Sequence, residues 1–81
     1  MKVYNKKGFL SPGSIRSMSC YHAKVKDNGE CQFRLHDCNT GIRLLGDLTK
    51  PEDVLEIIEK LGNLECAARE LRTWIVDNCE T

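Results

Sequence analysis

The chain has 81 residues, 41% of them hydrophobic, and its twelve Lys/Arg and twelve Asp/Glu leave no net charge. That length makes one domain with a small core, since such a chain buries only roughly 60% of its unfolded surface; no apolar run approaches the ~18 residues of a membrane span. The zero conceals a split: residues 1–50 hold nine Lys/Arg against four Asp/Glu, and residues 51–81 hold three against eight, so a basic first part precedes an acidic second part, a polarity that favours a binding protein with an anionic partner over an enzyme.

Residues 1–16 form a basic N-terminal arm or edge strand, with Lys2, Lys6, Lys7 and Arg16. Met1-Lys2-Val3-Tyr4 suits a short edge strand, and Ser11-Pro12-Gly13-Ser14 reads as a turn. Val3, Tyr4, Phe9 and Leu10 are split by Asn5-Lys6-Lys7-Gly8, which is no signal-peptide core, so a cytoplasmic protein is expected. The five cysteines, an odd set, fit free thiols. Cys31 and Cys66 are expected in the core, where free cysteine behaves as a small hydrophobe.

Residues 17–48 read as a β-meander. Its first hairpin turns at Asp27-Asn28-Gly29. A two-residue Asn-Gly turn would set Val25 opposite Gln32 and mix the faces. A three-residue loop with Gly29 in the left-handed region pairs Val25 with Cys31, Ala23 with Phe33 and Tyr21 with Leu35. That register makes one face apolar. The other carries Met18, Cys20, His22, Lys24 and Lys26 on one strand, and Glu30, Gln32, Arg34, His36 and Cys38 on the next. Asn39-Thr40-Gly41 is the following turn. Ile42-Arg43-Leu44-Leu45 is a third strand whose register is open, with Arg43 assigned to the outer face.

Residues 49–79 are helical. Thr49 suits the N-cap, Glu52 the reach-back position and Pro51 the first turn. Val54, Ile57, Ile58 and Leu61 form an apolar stripe that resumes, after Gly62-Asn63, as Leu64, Ala68, Leu71 and Ile75. One helix of ~29 residues would span about 44 Å, against ~26 Å for an eight-residue strand. It would overhang the sheet, expose Leu71, Trp74 and Ile75, and call for a dimer. The mismatch favours two helices meeting at Gly62. Trp74, the one tryptophan, suits a core or a subunit interface.

Catalytic patterns are thin. No Gly-rich phosphate loop occurs, and a Cys20–His36 thiolate pair lacks an orienting carboxylate. Cys20, His22, His36 and Cys38 are a legitimate zinc set by residue type, but a flat two-stranded surface converges four ligands poorly. Exposed polar residues on a sheet are the plainer account, and no cofactor is expected. The basic outer face is the stronger candidate: His22, Lys24, Lys26, Arg34, His36 and Arg43 point one way, with Gln32 able to reach a base edge.

Several stretches add a resemblance: Tyr21-His22-Ala23-Lys24-Val25, Gly29-Glu30-Cys31-Gln32-Phe33-Arg34-Leu35-His36-Asp37, Gly41-Ile42-Arg43-Leu44-Leu45-Gly46 and Thr49-Lys50-Pro51-Glu52-Asp53-Val54. Together, residues 21–54 resemble the three-strand-plus-helix DNA-binding domains of the ethylene-response-factor type, and the arm-binding domains of phage integrases. The resemblance implies that the outer sheet face enters the major groove, with His22, Lys26, Arg34, His36 and Arg43 as contacts. The chain departs from that family in lacking outer-face tryptophans and in placing His22 and His36 where arginines are expected. Residues 62–71 also resemble the start of a helix-turn-helix unit of the Fis kind.

The fold class is α+β: a three-stranded, or with an edge strand four-stranded, antiparallel sheet followed by one or two C-terminal helices on one face. The function is non-enzymatic binding, of DNA through the outer face or of another protein. In the second case the chain would be an interaction or inhibitor module, such as a phage or mobile-element adaptor, acting through its acidic helices or by self-association as a homodimer.

Overall fold

A computed structural model describes residues 2–10, 19–37 and 40–79. Four strands run β1 (Tyr4–Phe9), β2 (Cys20–Val25), β3 (Glu30–Asp37) and β4 (Thr40–Asp47), followed by one helix, α1 (Pro51–Asn78). The sheet is an antiparallel meander in the order β1-β2-β3-β4.

Alternating side chains give the sheet two unlike faces. The β2–β3 register pairs Val25 with Cys31, Ala23 with Phe33 and Tyr21 with Leu35. Gly29 sets it. Its φ is +90°, its N–H donates to the Lys26 carbonyl, and the Lys26 N–H donates to the Glu30 carbonyl. A side chain there would also meet the Thr49 methyl at 2.6 Å. The Leu48 N–H donates to the Gly29 carbonyl at 2.8 Å, tying the hairpin tip to the β4–α1 corner.

Four local expectations are corrected. The edge strand expected within residues 1–16 spans Tyr4–Phe9, so it begins at Tyr4 where the stretch Met1–Tyr4 was expected to end, and Met1 lies outside the described residues. Thr40 and Gly41, expected in a turn, begin β4, with Thr40 opposite Asp37 and Gly41 opposite His36. The helix cap is not Thr49: Lys50 is the N-cap and makes no side-chain cap. The Thr49 hydroxyl instead donates to Asp47 Oδ1 at 2.6 Å, and the Thr49 N–H to the same oxygen at 3.0 Å. A carboxylate is the stronger acceptor. Those two bonds, the hydroxyl's first, hold the Asp47 carboxyl below the usual carboxylate range. Asp53, not Glu52, reaches back, its Oδ2 accepting from the Asp47 N–H at 3.0 Å. Pro51 occupies the first turn as its fixed φ favours.

The two-helix expectation is also corrected: α1 runs unbroken through Gly62 and Asn63. Glycine costs a helix about 1 kcal/mol but does not stop it as proline does. A side chain at Gly62 would meet nothing within 4 Å, so the residue lies on an open side. The apolar positions Val54, Ile57, Leu61, Leu64, Ala68, Leu71 and Ile75 step by alternating three and four, without a phase change at Gly62. The Fis-like unit falls with the same observation, since no turn follows Leu71.

α1 lies against the end of the sheet. Its backbone comes close to β4 and to no other strand, with Ile57 over Gly46. Ile57, 4% exposed, is the one buried hydrophobic residue among those described. Phe33 and Leu35 share a groove with Leu61 and Leu64. Twenty-eight residues make α1 about 42 Å long, against about 26 Å for β4. Leu71, Trp74 and Ile75 are therefore 61%, 59% and 42% exposed. Cys31 sits half-buried on the inner face, and burial pushes its thiol up. Cys66, expected in the core, is exposed on α1. Cys20, Cys31, Cys66 and Cys79 are free thiols. No helix of the described residues is long and apolar enough to cross a membrane.

Candidate nucleic-acid interface

The face turned away from α1 is built by strand parity. Residues paired across an antiparallel sheet share a face, so the register Lys7–His22, His22–Arg34 and Arg34–Arg43 puts these four in one row across all four strands. At ~4.8 Å per strand the row is about 14 Å long. Among the described residues the ion pairs are Lys26–Glu30 at 3.5 Å and Lys60–Glu56 at 2.8 Å. Among the described residues no carboxylate pairs with Lys7, Arg34 or Arg43. Like charges directly opposite one another destabilise a sheet, so the Arg34–Arg43 pair stands uncompensated among the described residues.

The neighbouring rows complete the surface. On one side lie Asn5, Lys24, Gln32 and Leu45; on the other lie Phe9, Cys20, His36 and Gly41. Phe9 is 64% exposed. The His36 ring lies over Gly41, where a side chain would come within 2.9 Å of Nδ1, so glycine lets the imidazole spread over β4. Two shallow depressions flank Arg34 and His36. One, of about 580 Å³, is lined by Lys7, Phe9, Cys20 and His22; the other, of about 440 Å³, by Gly41 and Arg43. The acidic residues stand apart. Glu30 and Asp47 face each other in the row nearest the hairpin, about 13 Å along β3 from Arg34, and are held by Lys26 and Thr49 respectively.

No protein-family model, curated protein or solved structure matches the chain. The site therefore rests on its own geometry.

Of the sequence-derived contacts, His22, Lys24, Gln32, Arg34, His36 and Arg43 share this outer face. Lys26 lies beyond the end of β2 and turns to Glu30, away from the row. Lys7 and Phe9 were missed, because the register of β1 was not legible; once Lys7 is opposite His22, both belong here. Of the zinc candidates, Cys20 faces His36 across the strands. The His22 imidazole donates from Nε2 to Asn5 Oδ1 at 2.6 Å. Cys38 lies outside the described residues, as does Met18. Among the described residues no three of His, Cys, Asp or Glu gather as a metal site would require.

Proposed function

We propose that the chain is a non-enzymatic nucleic-acid-binding module, with the outer sheet face as its contact surface. The observation that carries this is the row Lys7–His22–Arg34–Arg43, registered across four strands and free of carboxylates. A phosphate backbone supplies countercharge to this row, and gains affinity by releasing its own counterions. Lys24 and Gln32 extend the row toward the hairpin, and Gln32 and Arg34 have the donor geometry for base edges. Exposed Phe9 and the spread His36 ring add flat surfaces on which unpaired bases stack. The resemblance to ethylene-response-factor and integrase-arm domains, if carried over, implies duplex DNA; the exposed Phe9 favours single strands.

The test is a salt titration with labelled single-stranded and duplex oligonucleotides of mixed sequence, DNA and RNA. Binding should weaken steeply as salt rises, with Arg34→Gln and Arg43→Gln each lowering the log–log slope by about one. Glu56→Gln, on the helix, should leave it unchanged. Absence of binding to every oligonucleotide at low salt would overturn the proposal. The competing function, a protein-interaction or inhibitor module of phage or mobile-element type, draws on the exposed Leu71, Trp74 and Ile75 and the acidic α1. It predicts capture of one protein partner that is lost on substituting α1 rather than the sheet.

A further inference from the structure

The single chain is unusually open. Its radius of gyration is 15.1 Å, where 81 compact residues give about 12 Å. It exposes 6800 Å², where a compact monomer of 9.2 kDa exposes about 4900 Å². The excess, about 1900 Å² per chain, is in the range that obligate homodimers bury when two copies contribute. The outer half of α1 leaves Leu71, Trp74, Ile75 and Val76 exposed. A four-stranded sheet about 19 Å wide takes two helices of about 10 Å side by side. This chain supplies one, close to β4 alone.

The sequence of that outer half is complementary to itself. Its alternating three-and-four spacing is a coiled-coil seam, which packs helix against helix. In an antiparallel pairing, Leu64 comes opposite the partner's Ile75, and Ala68 opposite the partner's Leu71. The same register brings Glu65 beside the partner's Arg72, and small Ala67 beside the partner's Trp74. Every match occurs twice about a two-fold axis between residues 69 and 70, the reciprocal contact that a two-fold dimer requires. The groove of about 510 Å³ between Phe33, Leu35, Leu61, Leu64 and Ala68 lies where the partner's Ile75 arrives.

We infer that the chain forms a two-fold dimer through antiparallel pairing of the outer halves of α1, with a second copy covering Leu71, Trp74 and Ile75. The inference is independent of nucleic-acid binding.

Sedimentation equilibrium of the full chain from about 0.5 to about 100 µM tests it. The expected mass at the upper end is twice 9.2 kDa, and Leu71→Glu should yield a monomer with its helix intact by circular dichroism. Glu65→Arg and Arg72→Glu should each raise the dissociation constant several-fold, and the double variant E65R/R72E should restore it. That rescue survives any general effect on folding. A monomer at 100 µM with Trp74 fluorescing as in water overturns the inference, including where a different polypeptide covers α1. So does a dimer that ignores both Leu71→Glu and the charge exchanges.

Discussion

The two surfaces that the chain leaves uncovered differ in what exposure costs them. The outer sheet face carries Lys7, Arg34 and Arg43, which water solvates well. The outer half of α1 carries Leu71, Trp74 and Ile75, where each Å² left in water forgoes about 25 cal/mol. A bare apolar stripe therefore asks for a cover through its area. A bare charged row asks for a partner only because its charges repel one another, and Arg34 directly opposite Arg43 does so. The first demand is met by any complementary apolar surface, the second by an anion.

The largest expected effect sharpens the contrast along α1. Ile57 and Ile75 lie on one stripe, but Ile57 is 4% exposed and Ile75 42%. Ile57→Ala should cost about 2–5 kcal/mol at any protein concentration. Ile75→Ala should cost little at sub-micromolar concentration, and progressively more as copies associate. Denaturant unfolding at two concentrations separates the two; equal costs at both would erase the distinction between a covered and an uncovered half.

The next effect tests the hinge between the faces. Gly29 holds a φ of +90° and lies against Thr49, so Gly29→Val should destabilise by about 1–3 kcal/mol. Unfolding curves within 0.5 kcal/mol of the parent would reject the role of this loop in fixing which residues face out. A smaller effect concerns Asp47, whose carboxyl is held low by Thr49. A lowered folded-state value stabilises the fold above the ordinary carboxylate range, and that contribution is lost as pH falls through the lowered value, below about pH 4. Asp47→Asn should therefore melt less cooperatively with acid: its stability should fall less between pH 5 and pH 2 than the parent's. An identical acid profile would remove Asp47 from that account.

Much of this was legible in the amino-acid order. Alternation in 20–37, with one glycine able to take a positive φ, fixed the β2–β3 register and through it the faces of His22, Arg34 and His36. The β1 register depends on the connection and on long-range pairing, neither of which leaves a local signature, so Lys7 and Phe9 escaped notice. Gly62-Asn63 has the local propensity of a break, but α1 runs through it without a change of phase. The steps of three and four across it were the better signal, since a helix end would have reset them. Thr49 looked like a cap because capping residues are recognised by type, whereas its hydroxyl went to a carboxylate two residues earlier.

If the basic row is the polyanion site proposed above, it is held at some expense to the sheet. The direct measurement is the double variant R34Q/R43Q, assayed for both thermal stability and oligonucleotide affinity at one salt concentration. Removing the facing like charges should raise stability by about 0.2–1 kcal/mol, while affinity falls at least tenfold. Unchanged affinity, or a loss of stability alongside the loss of binding, would contradict it.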